Sequence, residues 1–367
     1  MKTTKKVLFI CKKRIDSYGI SFGLVNSAKF IANQFDKANE NKKGYDNNHH
    51  GAPAVASSRC DVECKVVMVV DANGIDREIA LYKPTHVVIH ALWVTPHKLE
   101  ELVKKWNKVY WIIRVHSKIP FLANEGIAFN WLCKYKEIMR VYSNLIVSGN
   151  NEPFNDDLEE TMGLNTVYLP NIYCPDIYDD EAPIKSIWKR EDVIDIGCFG
   201  ALRPMKNHMN QAVAAVKFAK KIGKIVNFHV NADRIEQNGE QVIKNLRSYF
   251  GCIPDNQLVE HAWMSHKDFI GLVKQMDMGM QVSFSESFNI VSADFVWNDI
   301  PMVMGKDIDW SPAIFAADPN STDDMVCKMK WAWYGRWGLQ RLSKKALERY
   351  NEDAFRIWKK FICSTEA

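Results

Sequence analysis

The sequence predicts an α/β fold made of two doubly wound parallel sheets that carry helices on both faces. Short apolar strand patterns alternate with helical patterns along the 367 residues, which is typical of βα units. A chain of this length is long for one hydrophobic core, so two domains are expected. Residues 171–192 are rich in Pro and Asp and lack a hydrophobic period, which predicts a linker between two halves.

The first half begins with a continuous apolar segment at residues 7–11, the pattern of a buried parallel strand. After a loop that contains Gly19, apolar residues recur at helical spacing over 24–35, whereas the polar stretch 39–58 predicts an exposed loop. The remaining patterns of this half predict a helix at 98–106 and strands at 65–70, 85–90, 109–115, 145–148 and 166–169.

The second half repeats this alternation after the linker. Its first strand, 195–199, leads into a loop with Arg203 and Lys206 and then into a helix over 208–222. Later, a short strand at 281–284, a polar turn and a helix from about residue 289 follow one another directly. Further strands are predicted at 225–230, 258–261 and 301–304, helices at 240–250 and 266–276, and a helical, aromatic-rich tail from residue 321 on.

The composition is that of a soluble globular protein, with 47% hydrophobic and 25% charged residues. No apolar run approaches the roughly 20 residues that a bilayer span needs. The apolar start of the chain is too short for a signal peptide and predicts a strand. Nine scattered cysteines predict reduced thiols in a cytoplasmic protein, with the close pair Cys60 and Cys64 as ordinary buried thiols.

Positive charge is concentrated in the first part of the chain. The net charge is only +4, yet residues 1–150 hold 23 basic against 13 acidic side chains, and the remainder holds 25 against 31. This asymmetry favours an acidic partner for the first part. A solvated basic face would give the same counts.

Candidate ligand-binding side chains follow strands, where the carboxyl ends of parallel strands meet at one edge of a sheet. Arg203 and Lys206 follow the first strand of the second half, and two cations three residues apart can neutralise a diphosphate. Glu286 and Asp294 follow a later strand of the same half and can accept hydrogen bonds from sugar hydroxyls. The helix that begins near Asn289 offers free amides and a dipole to a phosphate.

Other candidates have an equally good structural interpretation. His116 directly follows a strand of the first half, and Gly19 follows the first strand, where a glycine lets backbone approach a phosphate. Asp307 and Asp309 suit a turn with helix caps as well as a metal site. The sequence has no P-loop, dinucleotide-binding, serine-nucleophile or zinc-hydrolase motif, which weighs against nucleotide hydrolysis, hydride transfer and those hydrolases.

Five segments together resemble the retaining GT-B glycosyltransferases of the family-4 type. Residues 286–294 (ESFNIVSAD) are similar to the E-x7-E motif of that family, and residues 300–303 (IPMV) to its G-x-P-V-V segment. Arg203 with Lys206-Asn207 resembles the family's Arg and Lys-Gly or Lys-Asn after the first strand of the donor domain. Val115-His116 resembles its strand-end histidine, and residues 168–171 (YLPN) resemble its pre-linker segment.

The resemblance implies a GT-B fold, with two facing Rossmann-like domains and the active site in the cleft between them. Residues 1–180 would form the acceptor domain, with a C-terminal helix at about 345–367 packing back on it. Residues 181–345 would form the nucleotide-sugar donor domain. The implied enzyme moves a sugar from a nucleoside-diphosphate sugar, expected to be a UDP-sugar, to an acceptor hydroxyl with retention of configuration. It requires no cofactor and no metal.

The resemblance also implies a role for each matched residue. Glu286 would hold the hydroxyls of the transferred sugar, and Asp294 would hold the ribose. Gly19 would lie beside the phosphates, and His116 would contact the sugar or the reacting centre. The implied catalytic set is His116, Arg203, Lys206 and Glu286, and the implied donor-binding set adds Gly19, Ser287, Phe288, Asn289, Ile290 and Asp294, with the amides of Asn289 and Ile290 on the diphosphate.

The sequence departs from the family at three places. Asp294 stands where Glu is usual, Asn289 stands where Gly is common, and the loop at Gly19 has one glycine instead of a pair. The shorter side chain of Asp294 predicts an altered or water-mediated ribose contact.

The sequence leaves the acceptor open. The basic first part suggests an acidic acceptor, and one hypothesis is DNA with a hydroxylated, flipped base, as decorated by glycosyltransferases that bacteriophages encode and that act in the host cytoplasm. The alternatives are a glycan or lipid acceptor and a nucleotide-sugar epimerase of the same fold, and no stable membrane insertion is expected. A mix of aromatic and basic side chains could suit DNA, although core aromatics and solvated lysines explain most of them better. The mix comprises Lys104, Lys105, Trp106, Trp111, Arg114 and Trp131.

Overall fold

The computed structural model describes residues 3–13, 22–48, 60–175 and 191–366. The chain divides into two compact units. Unit 1 takes residues 1–177 and 351–367, and unit 2 takes residues 178–350.

Unit 1 is built on a six-stranded parallel sheet in the order β2-β1-β3-β4-β5-β6. Its central strands are buried on both faces, which explains why they consist of continuous apolar runs and not of alternating residues. The strands are β1 (Thr3–Lys12), β2 (Cys60–Val69), β3 (His86–His90), β4 (Tyr110–Val115), β5 (Leu145–Gly149) and β6 (Thr166–Tyr168).

The helices of unit 1 differ from the sequence prediction mainly at α1. This helix extends to residue 48, so the prediction of a loop from residue 39 is wrong over 39–48. The sequence of residues 39–48 lacks the apolar period that marks a packed helix, which explains the error, and the Asn39 amide donates to the carbonyl of Val62 at 2.8 Å. The helices are α1 (Phe22–Asn48), α2 (Gly74–Tyr82), α3 (Pro96–Lys105), α4 (Ile119–Leu122), α5 (Ala128–Val141) and α6 (Glu152–Met162).

Unit 2 repeats the architecture with a second six-stranded parallel sheet, in the order β12-β11-β10-β7-β8-β9. Its strands are β7 (Val193–Gly197), β8 (Ile225–Asn231), β9 (Gln257–His261), β10 (Met278–Gln281), β11 (Met302–Gly305) and β12 (Ala316–Ala317). Its helices are α7 (His208–Lys221), α8 (Gly239–Gly251), α9 (His266–Val273), α10 (Ile290–Trp297) and α11 (Thr322–Tyr334).

The last helix, α12 (Gln340–Ser364), contributes residues to both units, because the division falls at residues 350 and 351 inside it. In unit 1, the fully buried indole of Trp358 donates to the carbonyl of Pro170 at 2.8 Å and packs edge-on against Phe9. The part of α12 beyond residue 350 is therefore an integral layer of unit 1.

A disulfide joins Cys60 of β2 to Cys363 of α12, with the Cα atoms 6.0 Å apart. The prediction that all nine cysteines are reduced thiols is wrong at this pair. The two residues are 303 positions apart in the sequence, so sequence spacing singled out Cys64 as the neighbour of Cys60 and gave no indication of the true partner. Cys64 and the other six cysteines are thiols outside any disulfide.

No helix within the described ranges is long and apolar enough to cross a membrane.

Candidate functional site

The candidate site of unit 2 lies where the order of its sheet reverses. From β7 the chain proceeds to β8 and β9 on one side and then returns to place β10 on the other side of β7. In open parallel sheets, ligands bind at the carboxyl ends of the two strands that flank this reversal. The two loops that follow β7 and β10, with the helix α10 that continues the second loop, carry the predicted donor-site residues of this unit.

The loop after β7 is held in place by buried amide side chains. It ends in a 3-10 turn, Pro204–Lys206, and in Asn207, whose φ of 58° is in the left-handed region that asparagine tolerates. The Asn207 amide donates to the carbonyls of Val282 at 3.0 Å and Pro319 at 2.8 Å. Gln211 of α7 donates to the carbonyl of Lys206 at 2.8 Å and accepts from the amide of Val282 at 2.9 Å. These bonds fix the Lys206 backbone against the end of β10.

The strand that precedes Glu286 lies earlier than predicted. β10 covers Met278–Gln281, so only Gln281 of the predicted strand 281–284 lies in a strand, and residues 282–289 form a loop. Sequence reasoning passed over Gly279, yet glycine is needed there because a Cβ would lie 2.4 Å from Met302 Sδ and 2.5 Å from the Phe295 ring. The amide of Phe284 donates to the carbonyl of Met205 at 2.9 Å, so the two loops are bonded to each other.

Lys206 and Glu286 form an ion pair between these two loops. Both side chains are largely buried, with 13% and 12% of their surface exposed. Burial alone would raise the pKa of the Glu286 carboxyl, but the positive charges of Lys206 and Arg203 outweigh it and hold that pKa below the ordinary value of 4.5. Glu286 is therefore an anion at neutral pH, facing a cation across the sheet reversal.

Arg203 lies at the same place but has a different partner. Its guanidinium contacts the carboxylate of Glu236 at 3.3 Å, and Glu236 also accepts from Arg234 Nε at 2.8 Å. Arg203 still contributes to the electrostatic field at Glu286. The structure thus brings the three predicted residues Arg203, Lys206 and Glu286 together, with Glu236 as a carboxylate that sequence reasoning did not identify.

The residue before α10 has a left-handed backbone conformation that favours glycine, and glycine is common at this position in the glycosyltransferase family that the sequence resembles. Asn289 has φ 61°, which glycine adopts most easily, and here its side chain compensates by donating to Gln281 Oε1 at 2.8 Å. The same side chain accepts from the amide of Ser292 at 2.8 Å and so caps the helix. The amide of Ile290, in the first turn, has no acceptor inside α10 because no helix provides one there.

Ser287 and Phe288 are buried beside this helix start. The Phe288 ring packs against Trp310 and Tyr350, and its carbonyl accepts from the Trp310 indole at 2.8 Å. Phe288 therefore anchors the loop in the core. Its buried ring is not available to a ligand, so any contact in this part of the loop is made by the adjacent residues.

Asp294, on α10, is almost completely buried, with 2% of its side chain exposed. Its carboxylate contacts Nε2 of His266, the first residue of α9, at 3.1 Å. His266 has 18% of its side chain exposed and is thus the more accessible member of the pair. Sequence reasoning selected His116 because that residue directly follows a strand. It missed His266, although His266 lies only a few residues after the end of another strand.

His208, the first residue of α7, was also missed. It is 1% exposed, and within the part of the chain that the structure describes neither of its ring nitrogens has a hydrogen-bond partner. Burial, with the charges of Lys206 and Arg203, lowers its pKa to about 3, so the ring is neutral. His208 thus adds no positive charge beside the ion pair.

In unit 1, His116 lies at the carboxyl end of β4 and contacts His90, the last residue of the neighbouring β3, with ring nitrogens 2.8 Å apart. Arg114 donates to the His116 ring at 3.0 Å. Burial and the Arg114 charge hold the pKa values of both histidines well below 6.5, so both rings are neutral at pH 7. His116 can accept or donate a hydrogen bond but does not act as a cation.

Residues 168–171, which resemble the pre-linker segment of that family, help to hold the core of unit 1 together. The fully buried Arg114 donates to the carbonyl of Leu169 at 3.0 Å and to Asn171 Oδ1 at 2.6 Å. Trp111 is fully buried as well, so neither residue belongs to a surface that could bind nucleic acid. The hypothesis that these two side chains contact DNA is therefore wrong. Gly19 lies outside the described residues.

Within the described ranges, no group of three or more His, Cys, Asp or Glu side chains is placed to hold a metal ion.

The sequence matches no family model and no curated protein. Solved structures with the same fold include the N-terminal domain of a Candida albicans trehalose-6-phosphate phosphatase, with a TM-score of 0.64, 10% identity and coverage of 100% of this chain and 98% of that one. A UDP-forming trehalose-phosphate synthase from Burkholderia xenovorans has a TM-score of 0.61 and 12% identity over 98% of both chains.

A trehalose-6-phosphate synthase studied for glycosyl transfer with retention has a TM-score of 0.60 and 10% identity, covering 98% of this chain and 100% of that one. At such low identity these similarities establish the fold. The prediction of a GT-B fold with two Rossmann-like domains is confirmed.

The lowered pKa of Glu286 gives a prediction for stability. Glu286→Gln removes the anion and leaves Lys206 buried without its carboxylate, which should lower the free energy of unfolding at pH 7 by about 3 kcal/mol. A depressed carboxyl pKa stabilises the fold above its unfolded value, and this contribution disappears as pH falls through the folded value. The difference between wild type and variant should therefore shrink below about pH 4.5, as measured by chemical denaturation.

The matched control is Glu348→Gln, at an exposed position of α12, which should change the free energy of unfolding by less than about 0.5 kcal/mol. A difference for Glu286→Gln that stays constant from pH 7 to pH 3 would contradict the assignment of the charged pair.

Proposed function

We propose that this chain is a retaining glycosyltransferase that moves a sugar from a nucleoside-diphosphate sugar, in the first instance a UDP-sugar, to an acceptor hydroxyl. The observation that carries the proposal is the buried pair Lys206–Glu286 at the reversal point of the unit 2 sheet. A cation and an anion at this position match the two parts of such a donor, its diphosphate and its sugar hydroxyls. Proteins with the same fold include UDP-forming and retaining sugar transferases.

In this proposal unit 2 binds the donor. The Lys206 ammonium and the amide of Ile290 contact the diphosphate, and the Glu286 carboxylate accepts hydrogen bonds from the transferred sugar. Arg203 exchanges Glu236 for the phosphate, because a guanidinium binds a phosphate bidentately. Burial of the pair makes each interaction stronger than it would be in water.

The catalytic step in this proposal requires no nucleophile from the protein. Negative charge grows on the departing diphosphate as the bond to the sugar breaks, and Lys206 and Arg203 stabilise that charge more in the transition state than in the ground state. The departing phosphate oxygen takes the proton of the acceptor hydroxyl, which attacks from the same face. This sequence retains the configuration of the sugar.

We further propose that the ribose is contacted through His266. Asp294 is one methylene shorter than the Glu usual in the family-4 type and is almost completely buried. Its contact with His266 Nε2 would orient the more accessible imidazole toward a ribose hydroxyl. The pair would thus replace the single longer carboxylate.

Two classes of acceptor agree with this proposal. A hydroxylated base in DNA, modified in the cytoplasm of a bacterium by a bacteriophage enzyme, still agrees with the basic first part of the chain, but it loses the support of Trp111 and Arg114, which are core residues. A glycan or lipid acceptor needs neither residue. In this scheme unit 1 holds the acceptor, with His116 at the end of β4 as its contact.

A nucleotide-sugar epimerase of the same fold is the second candidate function. It would interconvert free nucleotide sugars without any acceptor, so nuclear magnetic resonance of a UDP-sugar mixed with the protein alone distinguishes it. A thermal-shift screen of nucleoside diphosphates and their sugars selects the donor for this assay.

Lys206→Ala should lower kcat for UDP release from the selected donor by about 10²- to 10³-fold with a smaller change in KM, because the lost interaction is strongest in the transition state. The far-ultraviolet circular dichroism should be unchanged. Lys206→Gln, which keeps a polar partner for Glu286, serves as a second variant if the alanine variant folds poorly.

The control for this experiment is Lys217→Ala, which removes a lysine from the partly exposed pair with Asp323 on the same unit. Its kcat should stay within twofold of wild type. Near-normal turnover by a folded Lys206 variant would exclude the proposed catalytic role.

The His266 assignment predicts a loss of discrimination between nucleotides. Wild type should bind UDP about three- to tenfold more tightly than its 2′-deoxy or 3′-deoxy analogue, the value of one good hydrogen bond. His266→Ala and Asp294→Ala should bind UDP and that analogue equally in calorimetric titrations. His97→Ala, an exposed histidine of α3, should keep the discrimination. Undiminished discrimination in both site variants would refute the contact.

A further inference from the structure

The segment Lys330–Leu342, at the corner between α11 and α12, exposes an unusual amount of apolar surface. Trp331, Tyr334, Trp337 and Leu342 are 51%, 67%, 83% and 44% exposed. Within the described residues, these four make up a third of all exposed large hydrophobic side chains, although they fall within 12 consecutive residues. We call these four side chains the aromatic corner. A concentration of exposed large apolar side chains on one short segment is typical of an interaction surface.

The corner is a consequence of how α11 packs. Met325, Val326, Met329 and Ala332 bury the inner side of the helix, so Trp331 and Tyr334, three residues apart on the outer side, have no core to enter. The fold of unit 2 does not use these two rings.

Arg336 orders the turn that carries Trp337. Its guanidinium lies 4.0 Å from the ring centroid of Trp333 and 5.3 Å from that of Trp337, and it donates to the carbonyl of Trp333 at 2.7 Å. Trp333 is in turn fixed by an edge contact with Phe218 of α7. The exposed Trp337 ring therefore packs against a guanidinium that is itself held in place by Trp333.

The charge around the aromatic corner is mainly positive, although Lys344 pairs with Asp299. Residues 328–349 hold seven basic side chains and one acidic side chain, Glu348. The exposed cations Lys330, Arg341 and Lys345 form no ion pair within the described part of the chain. The surface therefore complements an anionic partner.

We propose that the aromatic corner docks unit 2 onto an anionic lipid surface. Tyr and Trp place an apolar ring and a polar edge at the boundary between headgroups and acyl chains, Leu342 adds an aliphatic contact, and the cations bind lipid phosphates. A single-stranded nucleic acid would instead be bound in a groove that tracks its backbone. Trp337, at 83% exposure, protrudes from the surface and does not line a groove. Docking of this kind requires no membrane-spanning helix.

The test is co-sedimentation of the full chain with vesicles of equimolar phosphatidylglycerol and phosphatidylcholine. Wild type should bind these vesicles and not vesicles of phosphatidylcholine alone. Trp331→Ala/Trp337→Ala should weaken binding at least about tenfold, since the two rings supply most of the buried apolar area. Arg341→Gln and Lys345→Gln should each weaken it about fivefold, and about 1 M salt should abolish the contribution of the charges.

Leu81→Ser is the control, because this leucine of α2 is 65% exposed and lies in unit 1, so its loss should leave binding unchanged. Equal binding by wild type and the double tryptophan variant would overturn the proposal. Equal binding to neutral vesicles would overturn it as well. Loss of binding to a single-stranded oligonucleotide in the same variants, without vesicle binding by wild type, would assign the surface to nucleic acid instead.

Discussion

The ion pair between Lys206 and Glu286 is the constraint on which the arrangement of unit 2 depends. Removing two charges from water costs several kcal/mol for each ion, and a pair of well-packed apolar side chains would stabilise a fold at least as well. The surroundings are built to compensate that cost. Asn207 and Gln211 fix the lysine loop, and Asn289 with Gln281 fixes the loop and helix that follow the glutamate. A costly pair held this rigidly at the reversal point of a parallel sheet is better explained by ligand binding than by stability.

The sequence predicted the fold well because its signals are local. Continuous apolar strands such as residues 7–11 and 109–115 report burial on both faces of a parallel sheet, and these strands are present. The strand before Glu286 was displaced because Gly279 weakens the strand pattern of Met278–Gln281, and only tertiary contacts with Phe295 and Met302 reveal why the glycine is there. The Cys60–Cys363 disulfide was missed for the same reason, since no local signal links residues 303 positions apart.

In the candidate site, too, local motifs identify some residues, and only tertiary contacts reveal the others. Arg203, Lys206 and Glu286 could be chosen from motif spacing alone, and the structure brings them together after β7 and β10. Glu236 and His266 were not chosen, because their relevance comes from pairing with residues 33 and 28 positions away. His116 follows a strand as predicted, but its contact with His90 and Arg114, and hence its neutral state, follows from the register of β3 and β4. Sequence patterns locate strand ends, whereas the packing of the sheet decides which side chains meet there.

Hydrogen–deuterium exchange of the full chain with and without UDP tests most directly whether the reversal point of unit 2 is a nucleotide site. We expect protection of peptides that cover residues 203–211 and 283–294, because these hold the cation, the anion and the first turn of α10. Peptides from the edge strand β9, on the far side of β8, should exchange at the same rate in both states. Unchanged exchange at both loops with saturating UDP, or protection confined to unit 1, would contradict the account.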